Sequence, residues 1–263
     1  ITPLFIFVRQ KKIMLKRFVC ITISLLAFII VNAQDNKTEK KDSIEHRILL
    51  IPYDPRFYLS DADKDIAEET RKDPKTIRNY FHNRSEWFTS RELKRHYPTI
   101  SLLQNDTVPA YIQSAGDIFS QTAFDYATPV TRSPESMMNA TSDKTLTDSR
   151  TATNYLNTDV HNRYMKADIQ NKKVLADLSE RFNTDIFVFL TQFEIKTNYK
   201  NCLDIANKIY EREIRLHFTI YDKTGKLING NYAIAVIPSN VNQMDEIILK
   251  CFPLLAKGIA ASL

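Results

Sequence analysis

The stretch "LSERFNTDIFVFLTQFEI", residues 178–195, decides the fold. Ile186 to Leu190 are apolar without a break, and all but Leu190 are β-branched or aromatic. A short unbroken run of that kind reads as a strand buried on both faces, with covering layers on two sides. Just before it, Val174, Leu175, Leu178 and Phe182 recur at helical spacing over residues 170–182, and Asn183 suits a left-handed C-terminal cap.

Downstream the period changes from helical to two. In "EIRLHFTIYD" (213–222), Ile214, Leu216, Phe218 and Ile220 alternate with Arg215, His217, Thr219 and Tyr221, the signature of a half-buried strand. "DKTGK" then turns, with Gly225 free to take positive φ, and "LINGNYAIAVIP" (227–238) returns as a hairpin partner. The residues after Cys202 read as a short connector into this hairpin. The last segment carries Met244, Ile247, Ile248, Cys251, Leu255 and Ile259 on one helical stripe, with Pro253 expected to kink it.

Upstream, "RILLIPYDP" holds a short buried strand, Ile48 to Ile51, ended by Pro52. Residues 73–97 read as a helix: Asp73 caps, Pro74 takes the first position, and Ile77, Tyr80, Phe81, Trp87 and Phe88 form the expected apolar stripe. "TISLL" (99–103) is a second short strand, and residues 105–124 restart a helix with Val108, Tyr111, Ile112, Ala115, Ile118 and Phe119 on one face. Residues 127–158 are Ser/Thr-rich and without a period, so a long loop or insertion is expected there. The predicted class is therefore α/β (α+β): a mixed sheet in the order β-α-β-α-(loop)-α-β-β-β-α, parallel early, antiparallel late, with helices packed on it.

The chain's beginning reads as an address. Lys16 and Arg17 precede the apolar run from Phe18 to Val31, and Val31 and Ala33 stand in a small-residue cleavage pattern. That is a secretory signal, with Met14 as the expected start and cleavage after Ala33. The run is shorter than the ~20 apolar residues a spanning helix needs, so no lasting membrane anchor is expected. Cys20 lacks the small neighbour of a lipidation site. The organisation expected is upstream residues plus signal over 1–33, a flexible polar leader over 34–45, and one α/β domain over 46–263. Residues 1–33 hold five of the 36 basic residues and no acid, leaving 31 bases against 31 acids. The basic excess belongs to the signal, and nucleic-acid binding is not expected. Of Cys202 and Cys251, buried free thiols are the favoured reading, with a disulfide left open by export.

Little chemistry is legible. Four glycines, Gly116, Gly225, Gly230 and Gly258, are too few and too scattered for a phosphate cradle, so no nucleotide cofactor is expected. No G-x-S-x-G occurs, and none of the five histidines pairs with another at i, i+4, so no catalytic set is assigned. The one acidic constellation is Asp61, Asp63 and Asp65. These fill positions 1, 3 and 5 of a calcium loop, but Ile66 replaces the turn glycine and Lys72 the bidentate glutamate. The competing reading is an acid-rich helix start, with Ser60 as cap and Ile66 facing inward.

The strand "RILLIPYDP", the helix–strand unit "LSERFNTDIFVFLTQFEI" and the hairpin "RLHFTIYDKTGKLINGNY" together resemble the small α/β domain of the TolB N-terminal region, the curli secretion protein CsgG and the penicillin-binding-protein activator LpoB. The signal ending resembles exported Bacteroidota proteins, which makes the four N-x-S/T sites incidental. The long insertion and the missing lipid-anchor cysteine depart from that pattern. The resemblance implies envelope partner binding without catalysis. The expectation is thus a periplasmic or secreted, non-enzymatic protein with an envelope protein partner. The alternatives are a hydrolase built on Asp54, Asp61, Asp63 or His217, and a calcium-stabilised module.

Overall fold

The computed structural model describes residues 46–105, 108–130 and 162–263, and the side chains of 105–112 are left aside. The expected signal, leader and most of the Ser/Thr-rich segment lie outside the described residues. In chain order the elements are β1 (Ile48–Ile51), a 3-10 turn (Pro55–Phe57), β2 (Tyr58–Ser60), α1 (Asp63–Thr70), α2 (Pro74–Leu93) and β3 (Thr99–Ser101). Then come α3 (Leu102–Asn105), α4 (Val108–Ser120), β4 (Thr122–Ala127), β5 (Tyr164–Ile169) and α5 (Lys173–Phe182). The chain closes with β6 (Ile186–Asp204), β7 (Ile209–Asp222), β8 (Leu227–Pro238) and α6 (Met244–Ala260). His46–Leu263 form one compact unit.

The class is α/β with helices on a mixed sheet, as the sequence predicts. The main sheet runs β3-β1-β6-β7-β8, with β2 also paired to β6. β1 pairs in parallel with β3 and β6, β2 pairs in parallel with β6, and β7 pairs antiparallel with β6 and β8. β6 is the spine because its apolar run has no polar face to give to water. Ile48 lies opposite Ile186, and Tyr58 resumes the same edge opposite Phe193. Pro52 and Pro55 break the ladder between them, since proline has no N–H to donate.

Alternation sorts the sheet into two faces. Leu50, Val188, Phe193, Ile214, Leu216 and Phe218 point to the face covered by α1, α2 and α6. There Tyr58, Phe81 and Phe193 stack, and Phe252 meets Phe193 at a 5.7 Å centroid distance. Leu49, Ile51, Phe187, Phe189 and Tyr221 point to the opposite face, under α5 and part of β5.

Several local expectations are corrected. α2 starts as predicted, with Asp73 capping Thr76 N–H at 3.0 Å, but it ends at Leu93. It turns Trp87 to solvent and instead buries a polar seam of His82, Ser85, Glu86, Thr89 and Ser90. Residues 105–124 do not continue as one helix. α4 stops at Ser120, and Thr122–Ala127 pair in six steps with Tyr164–Ile169, a hairpin the hydrophobic pattern did not announce. Those strands lie against other protein on one face and share no clean alternation. The connector after Cys202 is the tip of one long hairpin: β6 continues to Asp204 and β7 begins at Ile209. Pro253 lies inside α6, which runs on past it to Ala260.

Candidate functional site

The acidic stretch follows β2. Ser60 accepts from Ala62 N–H, yet the helix begins two residues later than a Ser60 cap implies, with Ala62 in the cap position and no side-chain cap. Ile66 is fully buried, as expected. The three carboxylates turn to three different partners. Asp61 accepts from Thr197 N–H at 2.8 Å and Thr197 Oγ1 at 3.1 Å. Asp63 accepts from Tyr58 Oη at 2.6 Å. Asp65 pairs with Arg212 Nη2 at 3.1 Å. Among the described residues no three His, Cys, Asp or Glu side chains are grouped to hold a metal ion.

Arg212 is the hub of this region, with its side chain 1% exposed. Besides Asp65 it donates to Asn242 Oδ1 at 2.8 Å and Val241 carbonyl at 3.3 Å. Burial pulls its pKa below the ordinary value, opposed by the charges of Asp65 and Asp61. A buried cation left without its anion is costly, so this network clamps α1 onto β6 and β7. The "SDADKD" stretch is a fastening of the fold here.

The hydrolase residues do not converge. Asp54 caps the 3-10 turn and accepts from Arg56 Nη2 at 2.6 Å. Asp61 and Arg212 lie on the face of Ile195 and Ile214, whereas His217 alternates with Leu216 and Phe218 onto the opposite face.

His217 instead belongs to a polar group that sequence reading missed. β6 carries a bulge between Leu190 and Gln192, which turns Thr191 and Gln192 to one face. The legible signal was the spacing of three from Leu190 to Phe193, where an unbroken strand would give two. Gln192 bonds Tyr126 Oη and Glu194. Met165 N–H donates to His217 Nδ1 at 2.9 Å, which leaves Nε2 carrying the proton of the neutral ring, 3.7 Å from Glu194. Burial holds the His217 pKa below the ordinary histidine value. Arg215 ion-pairs with Glu213 and lies 4.9 Å over the Tyr232 ring. With Nδ1 engaged by the backbone and Nε2 facing a carboxylate, this histidine fastens β5 across β7. Thr219 and Tyr221 do the same, bonding Ala167 N–H at 3.1 Å and Ala167 carbonyl at 2.7 Å.

The surface differs most from a plain α/β domain at the β6–β7 hairpin. β8 ends opposite Glu211, and Ser239 N–H to Tyr210 carbonyl at 2.8 Å is its last rung. Beyond that, two strands project as an arm. Its turn is set by Asp204, which accepts from Asn207 N–H at 3.1 Å, and by Lys208 at φ 53°. Tyr199, Leu203 and Ile205 are 69%, 50% and 85% exposed on it. Cys202 is free and exposed on the same arm, and Cys251 is free and buried in α6, so only Cys251 matches the buried-thiol expectation. No helix among the described residues is long and apolar enough to cross a membrane. Compared with protein-family models, curated proteins and solved structures, the chain matches none.

Proposed function

We propose that the chain is an exported envelope protein that works by binding a protein partner, without catalysis, and that the β6–β7 arm makes the contact. The observation that carries this reading is the apolar tip. Single exposed hydrophobic residues are ordinary, but Leu203 and Ile205 stand two residues apart on a projecting hairpin with Tyr199 close by along β6. The base of the arm is fastened to the sheet by the Arg212 network. The polar groups considered for catalysis engage partners within the fold, which supports a binding role over a chemical one. The signal-like N-terminal segment, and the resemblance of the sequence layout to TolB, CsgG and LpoB domains, support the periplasmic or secreted setting.

The test is cross-linking in the intact envelope followed by pull-down, with the wild-type chain and a Leu203→Asp, Ile205→Asp variant. The wild type is expected to recover one partner reproducibly, and the variant to lose it while keeping its thermal midpoint. Recovery of no reproducible partner, or equal recovery by the variant, refutes the reading.

A further inference from the structure

β5 is held on the main sheet without a ladder. It pairs with β4 in a sheet of two strands. Met165 and Ala167 turn both backbone groups away from β4, and four side chains of the main sheet meet them. His217 accepts from Met165 N–H at 2.9 Å, and Thr191 Oγ1 donates to Met165 carbonyl at 2.5 Å. Thr219 Oγ1 accepts from Ala167 N–H at 3.1 Å, and Tyr221 Oη donates to Ala167 carbonyl at 2.7 Å. Of these four side chains only the imidazole can change charge in mild acid, and burial raises the Tyr221 hydroxyl further from that range.

The backbone fixes the tautomer. A main-chain N–H can only donate, so Nδ1 spends its lone pair on Met165 and the proton of the neutral ring sits on Nε2. Nε2 has no hydrogen-bond partner among the described residues, and Glu194 Oε2 stands 3.7 Å away. A second proton can therefore enter only at Nδ1, where it would point straight at the Met165 N–H. His82 is buried too but is wired the opposite way: its Nε2 donates to Tyr53 carbonyl at 2.9 Å. It takes a second proton at Nδ1 and keeps its backbone bond. His217 cannot.

We propose that acid opens this crossing: a proton taken up from solvent at His217 Nδ1 displaces Met165 N–H, the ring turns to Glu194, and β5 lifts from β7 together with β4 while the main sheet stays paired. The surrounding groups set the balance. Burial opposes the cation most, Glu194 from β6 favours it, and Arg215 from β7, itself paired with Glu213, opposes it, so the closed crossing holds a neutral ring. β8 brings Tyr232, its ring 5.5 Å from the imidazole, β4 brings Tyr126 through Gln192, and β5 brings Tyr164 and the Lys166–Asp168 pair. A ring released into water returns to the ordinary histidine pKa of ~6.5, so the closed form binds fewer protons, and each pH unit below that value favours the open form by up to about tenfold. This goes beyond the partner reading above and does not involve the arm, so either proposal can fail alone.

The test is amide hydrogen exchange on the full chain from pH ~7 to ~5, each rate divided by the intrinsic rate at the same pH. Protection of the Met165 and Ala167 amides is expected to fall by up to about tenfold per unit below pH ~6.5, while the β1–β6 ladder keeps its protection. His217→Asn sets an uncharged carbonyl oxygen in the place of Nδ1 and should abolish that pH dependence. Ring-nitrogen shifts of the wild type give a second measurement that needs no variant. They should place the His217 proton on Nε2 at neutral pH, and the ring should titrate together with the loss of Met165 protection. A flat Met165 profile overturns the proposal. So does an equal fall in the β1–β6 ladder, which would mean that acid acts only by unfolding the whole domain. A folded Asn variant that keeps the slope, or a wild-type ring protonated on Nδ1 at neutral pH, overturns it as well.

Discussion

Gly230→Ala should unlock the β5 crossing. A methyl added at Gly230 would fall inside the van der Waals envelope of Tyr164, closer to its hydroxyl and Cζ than the 2.8 Å to Cε2. Carbon pairs prefer about 3.5–4.0 Å, so the ring must move by roughly an ångström. It has nowhere to go cheaply: Tyr164 is 1% exposed, and the next residue is tied to the sheet through His217 Nδ1 at 2.9 Å and Thr191 Oγ1 at 2.5 Å. Overpacking costs about 1–3 kcal/mol, and breaking one of these bonds adds about 1 kcal/mol. The expected destabilisation is about 3 kcal/mol, measured as a shift in urea midpoint at constant slope. Tyr164→Ala alone should cost about 3–5 kcal/mol as a buried aromatic truncation. In that background Gly230→Ala should become neutral or favourable by about 0.5–1 kcal/mol, since glycine is a poor strand residue. The reasoning is refuted if Gly230→Ala lies within about 0.5 kcal/mol of wild type, or if the two substitutions add.

Other outcomes are expected from the same structure. Arg212→Ala should destabilise by about 2–4 kcal/mol in chemical denaturation, because it removes a buried side chain together with its bonds to Asp65, Asn242 Oδ1 and the Val241 carbonyl; a loss under about 1 kcal/mol would count against the hub. Asp73→Ala should cost about 1 kcal/mol by removing the α2 cap, with no change in the arm. Burial lowers the pKa of both His82 and His217, so both stay neutral in the fold while the unfolded chain takes up protons near pH ~6.5. Stability should therefore fall as pH drops below ~6.5, by up to about 1.4 kcal/mol per unit for each histidine, and His82→Gln with His217→Gln should flatten that slope. An unchanged slope between pH ~6.5 and ~5 would refute it. Burial pushes the Cys251 thiol up to about 12, so peptide mapping after brief alkylation should find Cys202 modified in the native protein and Cys251 only after unfolding.

The legible part of this fold is the part where one physical signal dominates. The apolar run at Ile186 to Leu190 could only be buried on two sides, and the alternation from Ile214 to Ile220 marked a strand with one apolar face, though not the half-buried strand expected, because β5 buries His217, Thr219 and Tyr221 on the other face as well. Asp73 with Pro74 marked a helix start through local chemistry alone. The order of these elements followed from them, but β2, β4 and β5 were not foreseen. The polar seam of α2, the β4–β5 hairpin and the length of the arm did not follow, because each depends on what lies opposite. Glu86 is 1% exposed beside Gln104, and burial raises the pKa of its carboxyl, although the expected apolar stripe of this helix did not include it.

The acidic stretch shows the same division. Spacing alone made Asp61, Asp63 and Asp65 a candidate ligand set, because consecutive alternate carboxylates are all a sequence displays. Only the tertiary structure supplied Thr197, Tyr58 and Arg212, from β6, β2 and β7, which take one carboxylate each. Likewise His217 read as a surface residue on a polar strand face until β5 was seen to cross above it. By itself the sequence determined the strongly periodic elements and their sequence along the chain, but not β2, β4 or β5, since periodicity and capping are local and act through neighbouring residues. Which polar groups meet and which hairpin projects were decided by chain crossings more than a hundred residues apart in places, and those energies exist only once the sheet has closed.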